Sequence, residues 1–118
     1  MDRTEALEVL ASADRQLVLH ELLRLDGAIG VEELSRSVAA RRHQLAPAEL
    51  DERAVERARF RLTRIHLPKL AERQVIGSDW SETVSLADGT NADRVFGVAE
   101  GLDCFPPDDS LDRPSRRR

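Results

Sequence analysis

The sequence predicts a mainly α-helical domain closed by a small β-hairpin, in the order helix-helix-strand-helix-helix-hairpin of a winged helix-turn-helix. Three observations predict it. Apolar residues recur at spacings of three and four along most of the chain. One stretch, Glu49 to Arg73, is long enough for a dominant helix. After it, the apolar runs Val75-Ile76 and Thr83-Val84-Ser85-Leu86 flank the polar turn Gly77 to Glu82, which is a hairpin signal.

Each element follows from local chemistry. Asp2 or Thr4 can cap a short first helix that ends near Ala11 and carries Leu7 and Leu10. Ser12 is placed to cap a second helix, Ala13 to Leu25, with Leu19, Leu22 and Leu23 as its stripe and Val18 and Leu25 widening it. Asp26-Gly27 ends that helix, with Gly27 the natural left-handed residue. Ala28-Ile29 suits a brief strand, and Gly30 precedes a third helix from Val31 to about Arg42 that buries Val31, Leu34 and Val38. His43 to Ala48, containing Pro47, reads as a loop before the long helix. Asp88-Gly89 ends the hairpin. Ala92 to Phe105 places Val95, Val98, Ala99 and Leu102 at helical spacing, although Gly97 and Gly101 weaken a helix there. Residues 1–105 form the expected domain with its terminal segments. Residues 106–118, rich in Pro, Asp and Arg, read as a disordered tail.

Composition narrows the function. With 118 residues the chain holds one small core, and 3% aromatics leave that core to Leu, Val, Ile and Ala. No apolar run approaches the ~20 residues that cross a membrane, and no apolar signal region follows Met1-Asp2-Arg3-Thr4-Glu5. One cysteine, Cys104, excludes an internal disulfide and any site needing several thiolates. The expected location is therefore cytoplasmic. The net charge of -4 excludes a generally basic nucleic-acid binder. Basic residues are nearly all arginine, Lys69 being the sole lysine, which fits either a salt-adapted source or codon bias alone.

The functional argument rests on the long helix. At 100° per residue, Val55, Ala58, Leu62 and Ile65 share one side, and Arg53, Arg57, Arg61 and Arg64 gather on the other. Six basic residues stand between Arg53 and Lys69 against one acid, Glu56. Like charges at spacings of three and four repel, and a counter-anion relieves the repulsion. DNA phosphate is the obvious one, because a helix fits the major groove and arginine reaches a guanine edge with two donors. The predicted DNA contacts are Arg53, Arg57, Arg61, Arg64 and Lys69. A solvated face paired by Glu49 and Glu56 is the plain alternative.

Catalytic chemistry has no foothold. His20, His43 and His66 lack partners at metal-ligand spacing, and His66 lies on the apolar side as a hydrogen-bonded, partly buried residue. There is no phosphate-cradling glycine loop and no nucleophile elbow. The acid pairs Glu32-Glu33 and Asp108-Asp109 read as solvated surface, and Cys104 as a packing residue. No enzyme activity, cofactor, metal or small-molecule ligand is expected.

The string His66-Leu67-Pro68-Lys69-Leu70 makes the chain recognisable. Together with Leu7-Glu8-Val9-Leu10, Ala13-Asp14-Arg15, Leu22 to Gly27, Glu33-Leu34-Ser35 and Val38-Ala39, it resembles a haloarchaeal family of winged-helix domains of unknown function, distantly similar to bacterial ArsR-type repressors. The resemblance runs from Leu7 to Leu86. It implies a winged helix and a transcriptional role, and it makes salt adaptation the preferred reading of the acidic surface. Pro68 removes one helical hydrogen bond at Arg64, so a kink or local opening is expected there. Two readings of function follow. One is a DNA-binding regulator, acting as a homodimer through Leu7, Leu10, Val95, Val98 and Leu102, on double-stranded DNA. The other is a winged-helix module that docks another protein, which the acidic hairpin tip at Asp79 and Glu82 favours.

Overall fold

The computed structural model describes residues 1–102, so the predicted tail and Cys104 lie outside the described residues. Helix α1 (Arg3–Val9) opens on a reciprocal cap. The Asp2 carboxylate accepts from the Glu5 N–H at 2.8 Å, and the Glu5 carboxylate accepts from the Asp2 N–H at 2.9 Å. Helix α2 (Ala13–Leu25) is capped by Ser12, as its position predicted, with Oγ accepting from the Arg15 N–H at 3.3 Å. The left-handed residue that ends α2 is Asp26, at φ 54°, and not Gly27. Aspartate tolerates that region better than most residues.

Helix α2 is the axle of the fold. Leu17, Val18, Leu19 and Leu22 are buried, but so are Asp14, Arg15, Gln16 and Glu21, so this helix is enclosed on nearly every side along those two turns. The expected stripe narrows at its end. Leu23 is 51% exposed and Leu25 41%, because the last turn projects beyond the core.

Strand β1 (Ile29–Gly30) leads into α3 (Val31–His43), which buries Val31, Leu34 and Val38 as predicted. Left-handed Gln44, at φ 57°, ends α3. The connection to the next helix holds a 3-10 turn, Pro47–Glu49, and the helix begins at Glu52 rather than Glu49, with Asp51 as its cap. Helix α4 (Glu52–Arg61) packs on α3 through a separate small cluster, Ala39, Ala40, Leu50, Val55 and Ala58. Small side chains on both partners allow the two helices to approach closely.

The expected long helix does continue to Glu72, but not as one regular α-helix. A π-helical turn, Leu62–His66, separates α4 from α5 (Leu67–Glu72), and the Leu67 N–H reaches the Leu62 carbonyl five residues back. Such a turn adds a residue to the circumference. It carries Leu62, His66 and Leu67 inward and turns Ile65 out to 52% exposure, which overturns the placement of Ile65 on the apolar side. Pro68, with no N–H to give, stands just beyond this turn.

The hairpin forms. Ile76 bridges Leu86, the Gly77 N–H donates to the Ser85 carbonyl at 3.0 Å and the Ala87 N–H to the Val75 carbonyl at 2.9 Å. Its return strand β2 (Thr83–Val84) also pairs antiparallel with β1, Ile29 opposite Val84 and Gly30 opposite Thr83. The result is a mainly helical domain with a small antiparallel sheet, in a winged-helix-like arrangement. Helix α6 (Asn91–Glu100) packs against α1, and Ala6, Val9, Leu10, Val95, Val98 and Ala99 join the chain's own core. The apolar termini thus meet within one copy. Of the five residues expected at a two-fold interface, Leu10, Val95 and Val98 are buried, Leu102 packs on the core, and Leu7 alone is exposed, at 37%.

Candidate nucleic-acid interface

Helix α4 lies where the second helix of a helix-turn-helix pair should, with its back on α3. Its outer surface shows how the predicted basic residues are used. Arg53 and Arg57 are exposed and, among the described residues, have no ion-pair partner. Arg64 is exposed, with its guanidinium 5.1 Å from the centroid of the Phe60 ring. Lys69, on α5, is exposed and unpaired as well.

Arg61 departs from this row. Its Nε donates to Asp14 Oδ2 at 2.7 Å, and its side chain is only about one-third exposed, at 34%. The predicted row of four is therefore three outward cations and one that faces in.

Asp14 explains why. It sits in the first turn of α2 and is 3% exposed. Besides Arg61, it accepts from Arg42 Nη1 at 3.0 Å and stands 3.4 Å from His66 Nε2. His66 Nδ1 in turn lies 3.1 Å from Arg15 Nη1. A guanidinium can only donate, so Nδ1 accepts and the ring proton belongs on Nε2, aimed at Asp14. Arg15 is fixed by the carbonyls of Val9 at 2.8 Å and Glu8 at 2.9 Å. Burial pushes the Asp14 carboxyl upward. The hydrogen bonds from His66 and Arg61, with the charges of Arg61 and Arg42, outweigh that and hold it well below the usual carboxylate range. Burial also lowers the Arg15 guanidinium, against the opposing pull of Asp14 and Glu8. One buried carboxylate thus ties α2 to α3, to α4 and to the π-helical turn. His66 is a satisfied structural histidine, as its apolar placement predicted.

Residues 7–85 match the model of a family described as a domain of unknown function, DUF7344. The chain belongs to the DUF7344 family. The DUF7344 match takes in α2, α3, α4 with its π-helical turn, α5 and the hairpin through Ser85, and leaves α6 outside. No curated protein and no solved structure matches the chain.

Two residues of the DUF7344 surface were missed in the sequence. Phe60 is 58% exposed in the middle of the basic face. It borders one shallow groove with Arg53, Glu56 and Arg57, and a second with Glu56, Thr63 and Trp80 that runs between α4 and the hairpin. A phenylalanine among arginines on the polar side of a helix was the available signal. Trp80, on the hairpin turn, packs partly on the core. The turn also carries exposed Asp79 and Glu82. Among the described residues no cluster of His, Cys, Asp or Glu is placed to hold a metal, and no helix is long and apolar enough to cross a membrane.

Proposed function

We propose that this protein is a DNA-binding transcriptional regulator that lays α4 in the major groove. The observation that carries the proposal is the set of outward cations Arg53, Arg57 and Arg64, with Lys69 beyond the π-helical turn. Among the described residues none has an acidic partner, on a chain whose net charge is -4. Most other arginines of the domain are paired. Arg36 meets Glu52 at 3.1 Å, Arg59 meets Glu32 at 3.9 Å, and Arg73 meets Glu5 at 3.1 Å and Glu8 at 2.6 Å. Leaving like charges side by side on a helix costs stability, and a polyanion removes that cost. The resemblance of the sequence to haloarchaeal winged-helix domains, distantly similar to ArsR-type repressors, supports the same role by analogy.

In this proposal Arg57 and Arg64 face base edges, Arg53 and Lys69 face flanking phosphates, and Arg61 acts through the fold. At molar ionic strength the screening length falls to ~3 Å, so short contacts of this kind carry the binding. A homodimer on a palindromic site belongs to the same proposal, since two recognition helices would then read successive major grooves. The test is selection from a pool of random-core duplexes in molar salt. Enrichment of a palindromic core supports the proposal, and enrichment of nothing at any salt overturns it. The second reading, a protein-docking module, draws on the exposure of Phe60 and Ile65 on the same helix.

A further inference from the structure

We infer that Phe60 is a specificity residue that reads the 5-methyl group of thymine. The inference rests on the DNA-binding reading of α4. A singly exposed apolar side chain is ordinary on a protein surface, so what distinguishes Phe60 is its place, 58% exposed among the unpaired arginines of α4. Phe60 is not at the frayed edge of the helix. On an ideal helix it falls within about 60° of Arg53 and Arg57, at the centre of the outward face. It stands as a ridge between the two grooves described above. The guanidinium of Arg64, 5.1 Å from its centroid, holds the ring in place and keeps a positive charge beside it.

That combination suits duplex DNA better than an apolar partner. Arg53, Arg57 and Arg64, against the single carboxylate of Glu56 that borders both grooves, surround the ring with net positive charge that a hydrophobic protein surface would have to desolvate. In the major groove the same charges meet phosphates and purine edges. The one apolar feature there is the thymine methyl, which aromatic and small aliphatic side chains contact. Phe60 therefore selects a T·A pair at the step that its neighbouring arginines flank.

Uracil tests this directly, because it differs from thymine only by that methyl. The core enriched from a random duplex pool is made twice, once with thymine and once with deoxyuridine at each thymine of the core. Both are titrated with the full chain in the same salt. Burying one methyl against the ring should make the thymine duplex bind about fourfold tighter. Phe60→Ala should bind both duplexes equally and more weakly than wild type, while Phe60→Leu should keep part of the preference. The ring is exposed, so melting curves of both variants should match wild type. Equal wild-type affinity for the two duplexes overturns the inference, even though DNA binding stands. A thymine preference that persists in Phe60→Ala also overturns it, by assigning the methyl to another residue. If no duplex is retained by wild type, both readings fall, and Phe60-dependent self-association would then place the residue in a protein interface.

Discussion

Replacing Asp14 by Asn removes a single negative charge and almost no volume, yet it should be among the most damaging polar changes in the protein. The carboxylate is 3% exposed and is the shared acceptor of Arg42, Arg61 and His66. Removing one partner of a buried ion pair generally costs about 3–5 kcal/mol. Here Arg42 and Arg61 keep 42% and 34% exposure and can rehydrate, so about 2–3 kcal/mol is the better figure. At about 4–8 °C per kcal/mol for a domain of this size, the melting temperature should fall by roughly 10–20 °C. Thermal unfolding followed by circular dichroism at neutral pH measures this. The same pair of proteins should differ in acid. The folded-state carboxyl is held below its ordinary value of 3.8, so its contribution is fully present above that pH and is lost as pH falls toward the folded value. Wild type should therefore lose stability steeply below about pH 4, and Asp14→Asn should lack that part of the slope. A variant within about 0.5 kcal/mol of wild type, with an unchanged acid limb, would refute the view that this carboxylate clamps helix α4.

Other changes separate folding from binding. Arg61→Ala should lower stability by about 1–2 kcal/mol, since it removes a charge-assisted hydrogen bond to Asp14, whereas Arg57→Ala should stay within about 0.5 kcal/mol; parallel denaturant titrations distinguish them. Gln44→Gly should raise stability by up to about 1 kcal/mol, because the left-handed φ of 57° is strained for glutamine and free for glycine; a fall in the urea midpoint would contradict this.

The helical order, the Asp2 and Ser12 caps and the Ile76–Leu86 hairpin bridge were legible because each depends on neighbours in sequence, whereas β1 is held by β2, far along the chain. Capping needs only a side-chain acceptor two or three residues from an unpaired N–H, and Ser12 and Arg15 meet that condition on sequence alone. The departures are long-range. The Asp14–Arg61 contact joins residues that meet because α2 and α4 both pack on α3, so an arginine that looks free on a helical wheel turns inward. Ile65 was misplaced because a wheel drawn at 3.6 residues per turn cannot anticipate a π-helical turn. Pro68 signalled that something would give way near Arg64, but not in which sense. That the segments carrying Leu10, Val95 and Val98 pack together was expected from their apolar spacing, but that α1 and α6 do so within one copy was not, since sequence does not tell an internal contact from one between copies.

The proposal stands or falls on whether the outward face of α4 binds duplex DNA. It is tested most directly by fluorescence anisotropy of a labelled, selected duplex titrated with wild type and with the Arg53→Ala, Arg57→Ala, Arg64→Ala triple variant in molar salt. None of the three arginines has an ion-pair partner among the described residues, so the triple variant should melt like wild type. It should nevertheless lose at least about thirtyfold in affinity, taking about 1–3 kcal/mol for each of the two base-edge contacts, Arg57 and Arg64. A folded triple variant that binds the duplex as tightly as wild type would contradict the claim.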